Sequence, residues 1–96
     1  MANEPYGFVA YRSRQQTTAL EVALKSQGMR CSIINTPHEI GMGCGLSVRF
    51  NLADLAVVSA TVSRLKQSAL IGIYNATNEN GRLVFKPVSR TMRHSN

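Results

Sequence analysis

The sequence predicts an α+β fold in which a single antiparallel sheet carries two helices. Three observations lead there. Short runs rich in aromatic and β-branched residues alternate with two longer segments of helical periodicity. Their order along the chain is strand, helix, strand, strand, helix, strand. An Asn80-Gly81 pair near the end then signals one more tight reversal.

Tyr6 to Arg12 (YGFVAYR) is aromatic and aliphatic and ends at Ser13, so it reads as a strand followed by a helix N-cap. Arg14 to Gln27 is the first helix. Gln16, Ala19, Leu20, Ala23, Leu24 and Gln27 recur at three- and four-residue steps, and Gly28 supplies a left-handed stop. Arg30 to Asn35 (RCSIIN) is the second strand, ended by Thr36-Pro37 because proline has no N–H for a ladder.

The loop His38 to Gly43 leads into a third strand, Gly45 to Phe50. Leu46, Val48 and Phe50 face the core there, and Ser47 and Arg49 face away from it. Asn51 is the expected cap of a second helix, Leu52 to Gln67, whose buried stripe is Leu52, Leu55, Val58 or Ser59, Val62 and Leu65. Leu70 to Ala76 (LIGIYNA) is the fourth strand, Thr77 to Gly81 a polar turn, and Arg82 to Val88 (RLVFKPV) an extra edge strand.

This order is the ferredoxin-like split βαβ arrangement, βαββαβ, with an added C-terminal edge strand. Right-handed crossovers place the first and third strands side by side at the centre, with both helices on one face. At 96 residues the chain is expected to form one domain over residues 1–88, followed by a mobile basic tail at 89–96.

The net charge of +6 is unevenly spread. Residues 1–80 hold seven Lys or Arg against five Asp or Glu, while Arg82, Lys86, Arg90 and Arg93 follow with no acid among them. Such a tail adds weak, salt-sensitive attraction to phosphates or acidic proteins. A nucleic-acid module on this scaffold needs aromatics projecting from the open faces of the first and third strands, and Phe50 is expected to point inward. Nucleic acid is therefore not an expected partner. No apolar run approaches the ~18 residues of a membrane span, and the start Met-Ala-Asn-Glu-Pro lacks the basic and apolar regions of a secretory signal. With only Cys31 and Cys44, the expectation is a cytoplasmic protein without a disulfide framework.

Chemistry concentrates at Cys44, in the run Gly41-Met42-Gly43-Cys44-Gly45. Small flanks, Gly43 and Gly45, leave a sulfur uncovered, and loop N–H groups can point at a thiolate. The structural alternative is a tight turn in which Cys44 is a small apolar filler. Cys44 is expected at the start of a central strand, at the sheet end where the first helix finishes. Cys31 belongs to the opposite end of the neighbouring strand, about 16 Å away along a regular strand, against a bridging limit of ~7 Å between Cα atoms. No disulfide is expected between them, and Cys44 is expected to be the more reactive thiol.

His38, in the same loop as Glu39, and Arg49, farther along the strand, are the nearest candidates for cationic support. Isolated loop histidines and sheet arginines are more often solvated groups without chemistry. No orienting acid or amide completes a Cys-His catalytic set, no metal-ligand spacing is present, and the glycine run enters a strand with no following lysine, unlike a phosphate loop. No metal and no cofactor are called for.

Tyr11, Ser13, Ala19, Pro37, Cys44-Gly45 and Arg49, spaced over Phe8 to Tyr74, resemble the pattern of a small bacterial family of selenium/sulfur carrier-like proteins. The resemblance covers about two-thirds of the chain and leaves the stretch after Ala76 without a counterpart. It implies a carrier, rather than an enzyme, whose Cys44 accepts sulfur or selenium as a persulfide or selenosulfide and passes it between donor and acceptor proteins. The alternative is a ferredoxin-like domain without catalysis that senses a small molecule or forms homo-oligomers through its open sheet face or edge strand.

Overall fold

A computed structural model of the chain describes residues 4–41 and 45–88. Five strands and two helices follow in the order β1 (Tyr6–Tyr11), α1 (Arg14–Ser26), β2 (Cys31–Asn35), β3 (Leu46–Phe50), α2 (Leu55–Leu65), β4 (Leu70–Glu79) and β5 (Arg82–Pro87). All pairings are antiparallel, and the strands lie in the order β2-β3-β1-β4-β5. The first and third strands are neighbours, as expected, and β5 extends the sheet beyond β4.

The register separates two faces. Val9 lies opposite Val48 and Ile73, and Val48 opposite Ile33, so these four share one side. Val9, Tyr11, Val48 and Phe50 form one buried cluster with Leu20 and Leu24 of α1 and Val58 and Val62 of α2. Both helices therefore cover this face. Gly7 is required within it: a Cβ there would fall 2.3 to 2.8 Å from three atoms of the Phe50 ring.

Local rules explain the helix ends. Ser13 accepts from the Gln16 amide at 3.2 Å, as an N-cap does, while Gly28 adopts φ +81 beyond the last turn of α1. The second helix departs from expectation. Leu52–Asp54 form a 3-10 turn before α2, and Asn51 makes no side-chain cap; its carbonyl accepts from Asp54 N–H at 2.8 Å. Ala19 is exposed, and the helix stripes include Thr17 and Thr61, both buried. Thr61 donates back to the Val57 carbonyl at 2.9 Å and accepts from Gln27 Nε2 at 2.9 Å, which ties the helices together.

Two further expectations are corrected. The polar run at 77–79 is strand: β4 continues to Glu79, with Thr77 opposite Val84 and Asn78 opposite Leu83, leaving Asn80 (φ 56) and Gly81 (φ +84) as the turn. The face away from the helices is also not simply solvent-facing, since Phe8, Ala10, Ser47 and Ala76 are fully buried on it. β5 provides much of the reason, bringing Phe85 within 6.0 Å of Phe8. The tail at 89–96 lies outside the described residues.

Candidate functional site

The connection between β2 and β3 is shaped by its two shoulders. Thr36 N–H donates to the Gly45 carbonyl at 2.8 Å, closing the loop one step past the Asn35–Leu46 pair. The Thr36 and Ser47 hydroxyls are 2.7 Å apart and share a hydrogen bond beneath it. Ile40 N–H donates to the Pro37 carbonyl at 3.0 Å, which folds His38 and Glu39 into an exposed turn. Gly41 and Gly45 both take positive φ, +72 and +87. Nothing lies within 4 Å of a Cβ built on Gly45, so this glycine answers to backbone conformation, not to crowding. Met42, Gly43 and Cys44 lie outside the described residues.

This loop sits at the end of the sheet where β1 finishes, because Ala10 pairs with Ser47 at the start of β3. α1 therefore begins at this end. The expectation that the first helix finishes here is corrected: α1 ends at the other end, where Cys31 pairs with Phe50. The reversal follows from the direct β1-to-α1 turn at Arg12-Ser13, which leaves the helix N-terminus beside the strand that precedes it.

A part-buried polar network, unnoticed in the sequence, holds the same sheet end. Tyr11 donates to Gln67 Oε1 at 2.6 Å, Gln67 Nε2 donates to the Gln16 carbonyl at 3.2 Å, and Gln16 Oε1 accepts from Ala69 N–H at 2.8 Å. These bonds clamp the start of α1 to the segment after α2. Burial pushes the Tyr11 phenol up to about 12, so it stays protonated and serves as a donor. The i,i+4 spacing of helix positions finds none of these contacts, which join residues more than fifty apart.

The other sequence-derived residues fall elsewhere. Arg49 lies roughly 13 Å from Gly45 along a regular strand, and its guanidinium sits 4.1 Å from the centre of the Tyr6 ring. Cys31 is a free, half-buried thiol whose Sγ donates to the Glu21 carbonyl at 3.8 Å. Burial, and secondarily the Glu21 carboxylate, pushes its pKa up, with Lys25 partly opposing. Such a thiol is a poor nucleophile near neutral pH. Among the described residues no group of three or more His, Cys, Asp or Glu could hold a metal, and no helix is long and apolar enough to cross a membrane.

The family that the sequence resembles is also the one found by comparison. Residues 6–74 match the family described as "Putative Se/S carrier protein-like", and the chain belongs to that family. No curated protein and no solved structure matches it.

Proposed function

We propose that the protein carries sulfur or selenium as a terminal atom on Cys44, on a ferredoxin-like split βαβ scaffold with β5 appended. The scaffold reading is supported by β3 lying between β1 and β2 in the sheet, while α1 connects those two strands in sequence. The observation that carries the functional reading is family membership over a span that contains Cys44 and Gly45. Elimination supports it, since Cys31, the other thiol, is half-buried and held protonated.

In the proposed step the Cys44 thiolate attacks the terminal sulfur of a donor persulfide, R–S–S⁻. The donor S–S bond breaks, R–S⁻ departs, and Cys44–S–S⁻ forms with no net oxidation or reduction. An acceptor thiolate repeats the exchange and returns the Cys44 thiolate. Selenium follows the same course through an S–Se bond. Gly43 and Gly45 are assigned the role of keeping the carried atom uncovered. His38, exposed in the same loop, is assigned the exchange of protons there. Arg49, occupied with Tyr6, receives no part in the transfer. The partners are donor and acceptor proteins, and the reducing cytoplasm is the compartment in which such a thiol stays available.

Mass mapping after incubation with a small-molecule persulfide tests the reading. The added sulfur should map to Cys44 and disappear in Cys44→Ser. Sulfur on Cys31, or none on either residue, would overturn it.

A further inference from the structure

Of the six Phe and Tyr residues in the chain, four lie on the sheet face away from the helices. Phe8 is the buried centre. Tyr74 stacks on it with ring centres 5.2 Å apart, Phe85 meets it edge-on at 6.0 Å, and Tyr6 lies at 6.2 Å. The three outer rings are part-exposed, and the Tyr74 ring reclines over Gly72, which offers no side chain to displace it. Phe50 of the third strand points inward, as expected; the open-face rings come instead from β1, β4 and β5.

A second feature adjoins this patch. Arg49, exposed and seated on the Tyr6 ring, also lines a hollow of about 250 Å³ with Arg30, Ser32 and Asn51. Two exposed guanidiniums and two small polar side chains there suit a phosphate. No strand position on this face carries a carboxylate. The face thus combines rings, which every nucleobase can stack on, with cations complementary to a phosphate backbone. A second copy of the chain would instead set two arginine-bearing faces, with no carboxylate at their strand positions, against each other, like charge on like.

We infer that this face binds single-stranded nucleic acid, bases stacking on Tyr6, Tyr74 and Phe85 and the backbone passing Arg30 and Arg49. The surface lies on the side of the sheet opposite the helices, and Arg49 stands at the end of β3 away from Gly45. A bound strand therefore lies away from Gly45.

Fluorescence anisotropy of the full chain with a labelled ten-nucleotide oligouridine, over a series of salt concentrations, tests this. Binding should weaken linearly in log–log form with salt, and Arg30→Gln/Arg49→Gln should lower the slope by roughly 1.4, at ~0.7 per phosphate contact. Tyr6→Leu, which keeps apolar packing, should weaken binding roughly tenfold with an unchanged melting temperature. Three outcomes would overturn the inference: no binding at low salt; loss of binding in Arg90→Gln/Arg93→Gln but not in Arg30→Gln/Arg49→Gln; or a stable dimer that Tyr6→Leu dissociates.

Discussion

Replacing Gly7 by alanine tests the helix-side packing with one methyl group. The new Cβ would lie 2.3 Å from Phe50 Cζ, whereas ordinary contact starts near 3.4 Å, so the ring must retreat by about 1 Å. It has nowhere to go. Phe50 is only 2% exposed and belongs to the cluster formed with Leu24, Val9 and Val48. Overpacking of this kind costs about 1–3 kcal/mol. For a domain of this size, Tm should fall by roughly 4–8 °C for each kcal/mol lost. Urea unfolding of the wild type, Gly7→Ala, Phe50→Leu and the double variant closes a mutant cycle. The double variant should be more stable, by about 1 kcal/mol or more, than the sum of the single effects predicts, because the smaller leucine side chain vacates the space the methyl needs. Additivity within about 0.5 kcal/mol would show that the contact between Gly7 and the Phe50 ring is not what requires glycine.

Three other predictions follow from the same physical arguments. The Tyr11 phenol, raised from its ordinary 10.0 to about 12, keeps its proton in the folded state while the unfolded chain loses it; stability is therefore intact below pH 10 and declines as pH rises from 10 to about 12, by roughly 2–3 kcal/mol at most. Tyr11→Phe should flatten that part of the stability–pH curve, and a curve unchanged by the substitution would refute the assignment. Cys31 should react with iodoacetamide at neutral pH much more slowly than Cys44, since burial and Glu21 hold its proton; peptide mapping of a time course distinguishes the two, and faster labelling of Cys31 would contradict the argument. Ending the chain at Asn80 removes β5 and uncovers Phe8 beside Tyr74, so Tm should fall and aggregation increase; unchanged solubility and melting would show that Phe85 contributes nothing to that cluster.

Local signals carried much of this fold. Ser13 before a helical repeat, Gly28 after it and Asn80-Gly81 between strands each act through the conformation or hydrogen bonding of their own few residues, and each appears where the sequence places it. The misreadings arise where residue type alone does not decide the local geometry. Thr77 to Glu79 look like a turn because they are polar, yet Leu83 and Val84 hold them in the ladder. Leu52–Asp54 carry apolar residues at helical spacing, but the first turn tightens to 3-10 geometry without a side-chain cap from Asn51. Ser47 reads as solvent-facing by alternation and is buried against Thr36. At the candidate site, the glycine run identified Cys44 as the residue of interest, and Gly41 and Gly45 do take the left-handed backbone that favours glycine. The Tyr11–Gln67–Gln16 clamp gave no sequence signal, because a glutamine on α1 and one in the segment after α2 acquire meaning only once the chain brings them together.

The proposal that Cys44 carries a transferable sulfur is tested most directly by cold cyanolysis of protein loaded with a persulfide donor and then freed of it. Cyanide removes a terminal sulfur from Cys44–S–S⁻ as thiocyanate and leaves the thiolate, so the thiocyanate released counts carried atoms. One equivalent per chain from the wild type and from Cys31→Ser, and none from Cys44→Ser, is the predicted result. Thiocyanate released undiminished from Cys44→Ser would contradict it.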